Sequence, residues 1–149
     1  MARTFRIKKT PGFDKAIIEI KKFPEKMTDA IFEELEDTGI RIRNQMINLM
    51  TRTPQTGRRY KKKSGTIHIA SSPGRAPAVD TGRLKNSIKV NVRKAQMEVE
   101  TGSDLRKPPY GVFLEEGTSK MEPRPFLEPA VHTATRNIER RIMRALDRL

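Results

Sequence analysis

Apolar residues recur along this chain in two rhythms, one of period two and one of period three to four, and the changes of rhythm divide it into elements. Phe5 and Ile7 alternate with basic residues, which predicts a short edge strand followed by a Pro11-Gly12 turn. Phe13, Ile17, Ile18 and Ile20 lie among charges in residues 13–22, and this predicts a short helix ending near Pro24. From Pro24 to about Met50, Met27, Ile31, Leu35, Ile42, Met46 and Leu49 fall on one helical stripe, with Thr38 filling the gap in the spacing. Glu25, Asp29, Glu33, Glu34, Glu36 and Asp37 crowd the first half of this long helix, and Arg41, Arg43 and Arg52 lie toward its end. That order suits the helix macrodipole. Gly39 is its weak point, costing ~1 kcal/mol against Ala.

Residues 52–65 have no apolar period and carry six positive charges and no negative one, so a long mobile loop is expected, extending with Pro and Gly to residue 79. Within it Ile67 and Ile69 alternate with Thr66 and His68 as a short strand candidate. Leu84 and Ile88 stand at helical spacing, then Ile88, Val90 and Val92 at strand spacing, so a helical turn hands over to a strand. After Arg93-Lys94-Ala95-Gln96 comes a second alternating run, Met97, Val99 and Thr101. The two runs predict a hairpin with one buried and one charged face. Pro108-Pro109 opens a short helix through Tyr110-Gly111-Val112-Phe113-Leu114 that Gly117 closes. Leu127, Val131, Ala134, Ile138, Ile142, Ala145 and Leu149 step by three and four through one long C-terminal helix. The expected fold is α+β: one domain over 1–149, with a small antiparallel sheet of three or four strands packed against the two long helices, and a basic loop over 52–79.

Composition adds limits. A chain of 149 residues buries roughly two-thirds of its unfolded surface, enough for one small core. With 35% hydrophobic and 33% charged residues that core is thin, and thin cores lean on assembly. The absence of cysteine excludes disulfides, thiolate metal sites and a Cys nucleophile, and it fits a reducing cytoplasm. No apolar run approaches the ~20 residues that span a bilayer, and none follows the charged N-terminus, so neither a membrane span nor a signal peptide is expected. A net charge of +13 draws polyanions or acidic protein surfaces.

The candidate chemistry is sparse. Asp80-Thr81-Gly82 is the triplet of retroviral-type aspartic proteases, which need it at a loop tip fed by a buried strand, two copies sharing one proton across a dimer. Here a Pro- and Gly-rich segment precedes it and Arg83 follows. A helix start explains it with less, Asp80 or Thr81 accepting the orphan N–H groups of Gly82-Arg83-Leu84 for ~1 kcal/mol. His68 and His132 stand apart, without metal-site or relay spacing. Glu115 and Glu116 are adjacent on a helix and point about 100° apart, so they do not converge on a substrate. There is no phosphate-binding loop, and no catalytic residue, metal or cofactor is expected.

Two segments in fixed order carry more information. Ser71 to Ile88 reads Ser-Ser-Pro-Gly-Arg-Ala-Pro-Ala-Val-Asp-Thr-Gly-Arg-Leu-Lys-Asn-Ser-Ile. Tyr110 to Ala130 reads Tyr-Gly-Val-Phe-Leu-Glu-Glu-Gly-Thr-Ser-Lys-Met-Glu-Pro-Arg-Pro-Phe-Leu-Glu-Pro-Ala. Separated by the hairpin, they resemble the tail-component family of lambdoid siphophages, the gene product 10-like neck or tail-completion proteins. The likeness covers about half the chain and rests on Asp80, Thr81, Gly82, Leu84, Ser87, Ile88, Tyr110, Glu115, Gly117, Thr118, Met121, Pro125, Phe126, Leu127, Pro129 and Ala130. Glu116 stands where that family has an aromatic residue, and Gly111 where it has Ala.

The resemblance implies a non-enzymatic virion protein, assembled in the cytoplasm of a bacterial host. It would form a ring, expected to hold six copies, in the neck between a connector or stopper and the tail terminator or tail tube. Arg58, Arg59, Lys61, Lys62 and Lys63 would then face genomic DNA in the lumen, dock on an acidic neighbouring ring, or stay solvated until assembly. A free nucleic-acid-binding protein and a protease are the alternatives in other classes. Structural roles are expected at Gly117 (positive φ closing a helix), Thr118 or Ser119 (a cap) and Pro125 (the first turn of the last helix). Phe126 and Leu127 should bury against the hairpin at ~2 kcal/mol each.

Overall fold

A computed structural model of the chain describes residues 4–9, 15–21, 25–104 and 110–149. Four strands form an antiparallel sheet in the order β1-β2-β6-β5: β1 (Thr4–Lys9), β2 (Lys15–Lys21), β5 (Ile88–Arg93) and β6 (Glu98–Ser103). A separate two-stranded ribbon joins β3 (Arg59–Lys61) to β4 (Ile67–Ile69). The helices are α1 (Glu25–Arg52), α2 (Arg83–Asn86), α3 (Tyr110–Glu116), α4 (Leu127–Thr135) and α5 (Ile138–Leu146). The α+β architecture read from the sequence is therefore the one observed.

One face of the sheet makes the core. In-register pairs Ile18–Val99, Ala16–Thr101 and Val90–Thr101 put Ala16, Ile18, Val99 and Thr101 under α1, whose Ile31, Leu35, Ile42, Met46 and Met50 are buried with them. On α4 and α5, Leu127, Ala130, Val131, Ala134, Ile138 and Ile142 complete the layer. The opposite face is charged, as the hairpin pattern predicts. Glu100 accepts from Lys15 Nζ at 3.1 Å and Asn91 Nδ2 at 3.2 Å, and Arg93 pairs with Glu98 at 2.5 Å. Burial alone would raise the Glu100 carboxyl pKa, but the hydrogen bonds from Lys15 and Asn91 and the charges of Lys15 and Arg93 outweigh it and hold the group below its ordinary value.

Gly39 lies where the helix crosses the sheet. A Cβ there would sit 2.6 Å from Val99 Cγ1 and 3.0 Å from Thr101 Oγ1. The helix-weakening residue is thus what lets α1 approach, and Thr101 Oγ1 donates to the Gly39 carbonyl at 3.3 Å. Its neighbour Thr38, which fills the gap in the apolar stripe, is fully buried, with its hydroxyl donating to the Glu34 carbonyl at 2.8 Å.

Three expectations change. Residues 15–21 are a central strand, not part of a helix: Ala16 and Ile18 alternate into the core, and β-branched Ile17 and Ile18 suit a pleated surface paired on both sides. The C-terminal helix breaks at Arg136-Asn137, where Asn137 has φ −128°. The Arg141 guanidinium donates to the Ala134 carbonyl at 3.2 Å, taking the acceptor that a continuous helix would offer to the N–H of Ile138. Arg141 is held there from α1, by an ion pair with Glu34 and a 2.7 Å bond to Thr38 Oγ1. Lastly, the loop expected over 52–65 contains a strand, because 59–61 pair with the strand expected at Ile67 and Ile69, and Gly57 N–H and Ala70 N–H extend the ladder. The Pro11-Gly12 turn and the Pro108-Pro109 helix entry fall outside the described residues.

Candidate functional site

The two motif segments, far apart in sequence, form one joint. Gly74 N–H donates to the Pro123 carbonyl at 3.0 Å, the Arg124 guanidinium reaches the Ser71 carbonyl at 3.2 and 3.3 Å, and Arg124 N–H meets the Leu114 carbonyl at 2.6 Å. At its centre Glu115, 8% exposed, accepts from Phe126 N–H at 2.7 Å, Leu127 N–H at 2.9 Å and Glu128 N–H at 2.9 Å. Those are orphan donors of the first turn of α4, and a carboxylate at that positive end of the helix satisfies them together. Sequence reasoning assigned Glu115 no such task. The readable signal was the missing local cap, since Phe126 occupies the N-cap and has no oxygen to offer.

The surrounding residues fix this geometry. Gly117 closes α3 with φ 77°, and a Cβ there would also meet the Met121 carbonyl at 2.7 Å. Thr118 and Met121 exchange backbone hydrogen bonds at 2.7 and 3.2 Å, and Thr118 Oγ1 accepts from Lys120 N–H at 3.2 Å. Pro125 was expected in the first turn of the last helix but precedes it. The helix starts at Leu127, so Pro129 occupies the first turn, where a missing N–H costs nothing. Phe126, Leu127 and Ala130 are buried, with α4 lying chiefly on α1 and β2 rather than on the β5–β6 hairpin.

In the first segment the Asp80 cap does not form. Gly82, at φ 76°, is the N-cap of α2, and Arg83 N–H reaches Thr81 Oγ1 at 3.4 Å. Asp80 instead accepts from the Lys62 ammonium, and His68 Nδ1 lies 3.3 Å from the same oxygen. The reason is electrostatic: residues 51–79 contain no acid, so Asp80 supplies the ribbon's counter-charge. Leu84 packs at the core margin, Ile88 is buried, and Ser87 Oγ donates to the Leu84 carbonyl at 2.6 Å and lies 3.0 Å from Ser103 Oγ.

A cleft of about 200 Å³ separates residues 77–85 from Met50, Tyr110 and Leu114. An adjoining groove of about 480 Å³ runs under the ribbon past Tyr60, His68, Tyr110 and Arg124. His68 is buried with its ring 5.2 Å from that of Tyr60, edge to face, whereas Ile67 is 59% exposed. The strand expected at Ile67 and Ile69 is present, with its histidine rather than Ile67 turned inward. Burial raises the Tyr110 pKa above its ordinary value, with Tyr60 and Asp80 adding to the shift and Arg124 opposing it.

Of the five expected contact cations, Arg58, Arg59, Lys61 and Lys63 are exposed and Lys62 is committed to Asp80. The Asp-Thr-Gly triplet follows an irregular stretch rather than a strand, with its carboxylate already paired. His132 is exposed on α4, and Glu116 is exposed while Glu115 is buried. Among the described residues no three His, Asp or Glu side chains come together as a metal site, and no helix is long and apolar enough to cross a membrane. No protein-family model matches the chain, and no curated protein and no solved structure matches it either.

Proposed function

We propose that this chain is a non-enzymatic structural protein of a long-tailed bacteriophage virion, assembled in the host cytoplasm as a ring, of six copies, in the neck that joins head to tail. The observation that carries this reading is how the motif carboxylates are used. Glu115 is consumed by three backbone N–H groups and Asp80 by Lys62 and His68, so the residues behind the family resemblance hold the chain together and aim no reactive group at a substrate. The thin core, and a sheet whose edge strands among the described residues are β1 and β5, suit a subunit completed by copies of itself and by a connector or stopper and a tail terminator or tube on its two faces.

The test is mass and phenotype. Sedimentation of the purified protein should give a closed oligomer, expected at the mass of six 17.1-kDa subunits, and phage lacking the gene should accumulate unjoined heads and tails. A lasting monomer, together with normal joining in its absence, would overturn the proposal.

A further inference from the structure

The β3–β4 ribbon has two unlike faces. Side chains alternate along a strand, so the in-register pair Tyr60–His68 shares one face, together with Lys62, and that face is docked on the body through Asp80. The pairs Arg59–Ile69 and Lys61–Ile67 belong to the other face, where Arg59, Lys61 and Ile67 are exposed. Lys63 follows, exposed beside the turn at Gly65. Residues 51–79 hold seven Lys and Arg and no Asp or Glu, more than half of the net +13. Among the described residues the acid bonded to this segment is Asp80, on the docked side.

We propose that the free face of this ribbon binds the phosphate backbone of duplex DNA without reading sequence, through Arg59, Lys61 and Lys63. Arg59 and Lys61, alternate residues of β3, stand ~6.8 Å apart and Lys63 follows in the turn, so three exposed cations crowd one short face, and the DNA backbone offers it one negative charge per ~1.7 Å of helix axis. A two-stranded ribbon is also narrow enough for the major groove, ~12 Å wide. The face carries cations and isoleucine but no Asn or Gln for adenine and no acid for cytosine. Tyr60 lies on the other face, edge-on to His68 and itself exposed, so no aromatic ring stands among the three cations. The inference does not depend on ring formation.

The decisive measurement is fluorescence anisotropy of a labelled mixed-sequence duplex against salt, with wild type, the triple variant Arg59→Gln/Lys61→Gln/Lys63→Gln, and a control of equal charge, Arg136→Gln/Arg140→Gln/Arg144→Gln, three exposed arginines of the C-terminal region. Each phosphate contact contributes about 0.9 to the slope of log K against log salt. The ribbon variant should therefore lose about 2.7 from the slope, and wild type should weaken about 40-fold more than it between 50 and 200 mM salt. The control should keep the wild-type slope. Equal losses in both variants, or a wild type that does not bind duplex while the ribbon variant fails to capture a neighbouring neck protein, would overturn the proposal. Sedimentation of the ribbon variant separates the two readings: unchanged mass with a reduced slope supports DNA contact whatever the ring's fate.

Discussion

Two carboxylates, Glu115 and Asp80, sit at the two halves of one joint and live differently. Glu115 is buried and meets three backbone N–H groups of one helix end, so its partners are fixed by geometry that α4 cannot vary. Asp80 is exposed in part and meets two side chains on a ribbon, a lysine with a flexible stem and an imidazole set edge-on to Tyr60. A carboxylate given backbone partners secures the core, whereas one given side-chain partners tethers an appendage that keeps some freedom. The core joint should therefore answer to mutation with global stability, and the tether with local dynamics.

The comparison breaks first at Glu115. Glu115→Ala leaves three N–H groups without an acceptor, two of them buried, and should lower stability by about 3–5 kcal/mol as read from urea midpoints, with Glu115→Gln recovering part of the loss. A loss below 1 kcal/mol would mean that water caps α4 as well. Gly39→Ala comes next. The helix-propensity gain of ~1 kcal/mol should be outweighed by the clash with Val99, for a net loss of about 1–3 kcal/mol in the same assay, and a more stable variant would refute the close approach. Asp80→Asn should cost about 1 kcal/mol or less globally, yet speed amide exchange in β3 and β4 alone; unchanged exchange there would show that the ribbon is held by other contacts. Smallest is Ser71→Ala. The Ser71 hydroxyl is 1% exposed and unpartnered among the described residues, so its removal should be neutral or stabilising within about 0.5 kcal/mol, and a marked loss would reveal a hidden acceptor.

How much of this was legible follows from where each signal lay. The α1 stripe, the β5–β6 hairpin and the positive φ at Gly117 are written in neighbouring residues, and they were readable. The β2 strand was misread because Ile17, Ile18 and Ile20 satisfy helical and strand spacing alike, and only pairing with β1 and β6 decides between them. Of the ribbon only β4 was readable, from the alternation of Ile67 and Ile69; β3 was hidden because Arg59-Tyr60-Lys61 sits in a run of cations with no apolar alternation. The break between α4 and α5 depends on Arg141 being drawn to Glu34 and Thr38 on another helix, and Glu115 caps a helix from outside it. Such long-range polar contacts leave no periodicity in the sequence.

The separations spanned by those two clasps set an order of events. Glu115 closes a loop of only 11 residues to Phe126, whereas Arg141 reaches back 107 residues to Glu34. Loop-closure entropy grows with length, so the first clasp can form while the chain is still largely open, and the second must wait until the sheet has brought α1 and α5 together. Weakening the first should slow refolding, and weakening the second should chiefly hasten unfolding, a division that stopped-flow φ-values at the two positions would read directly.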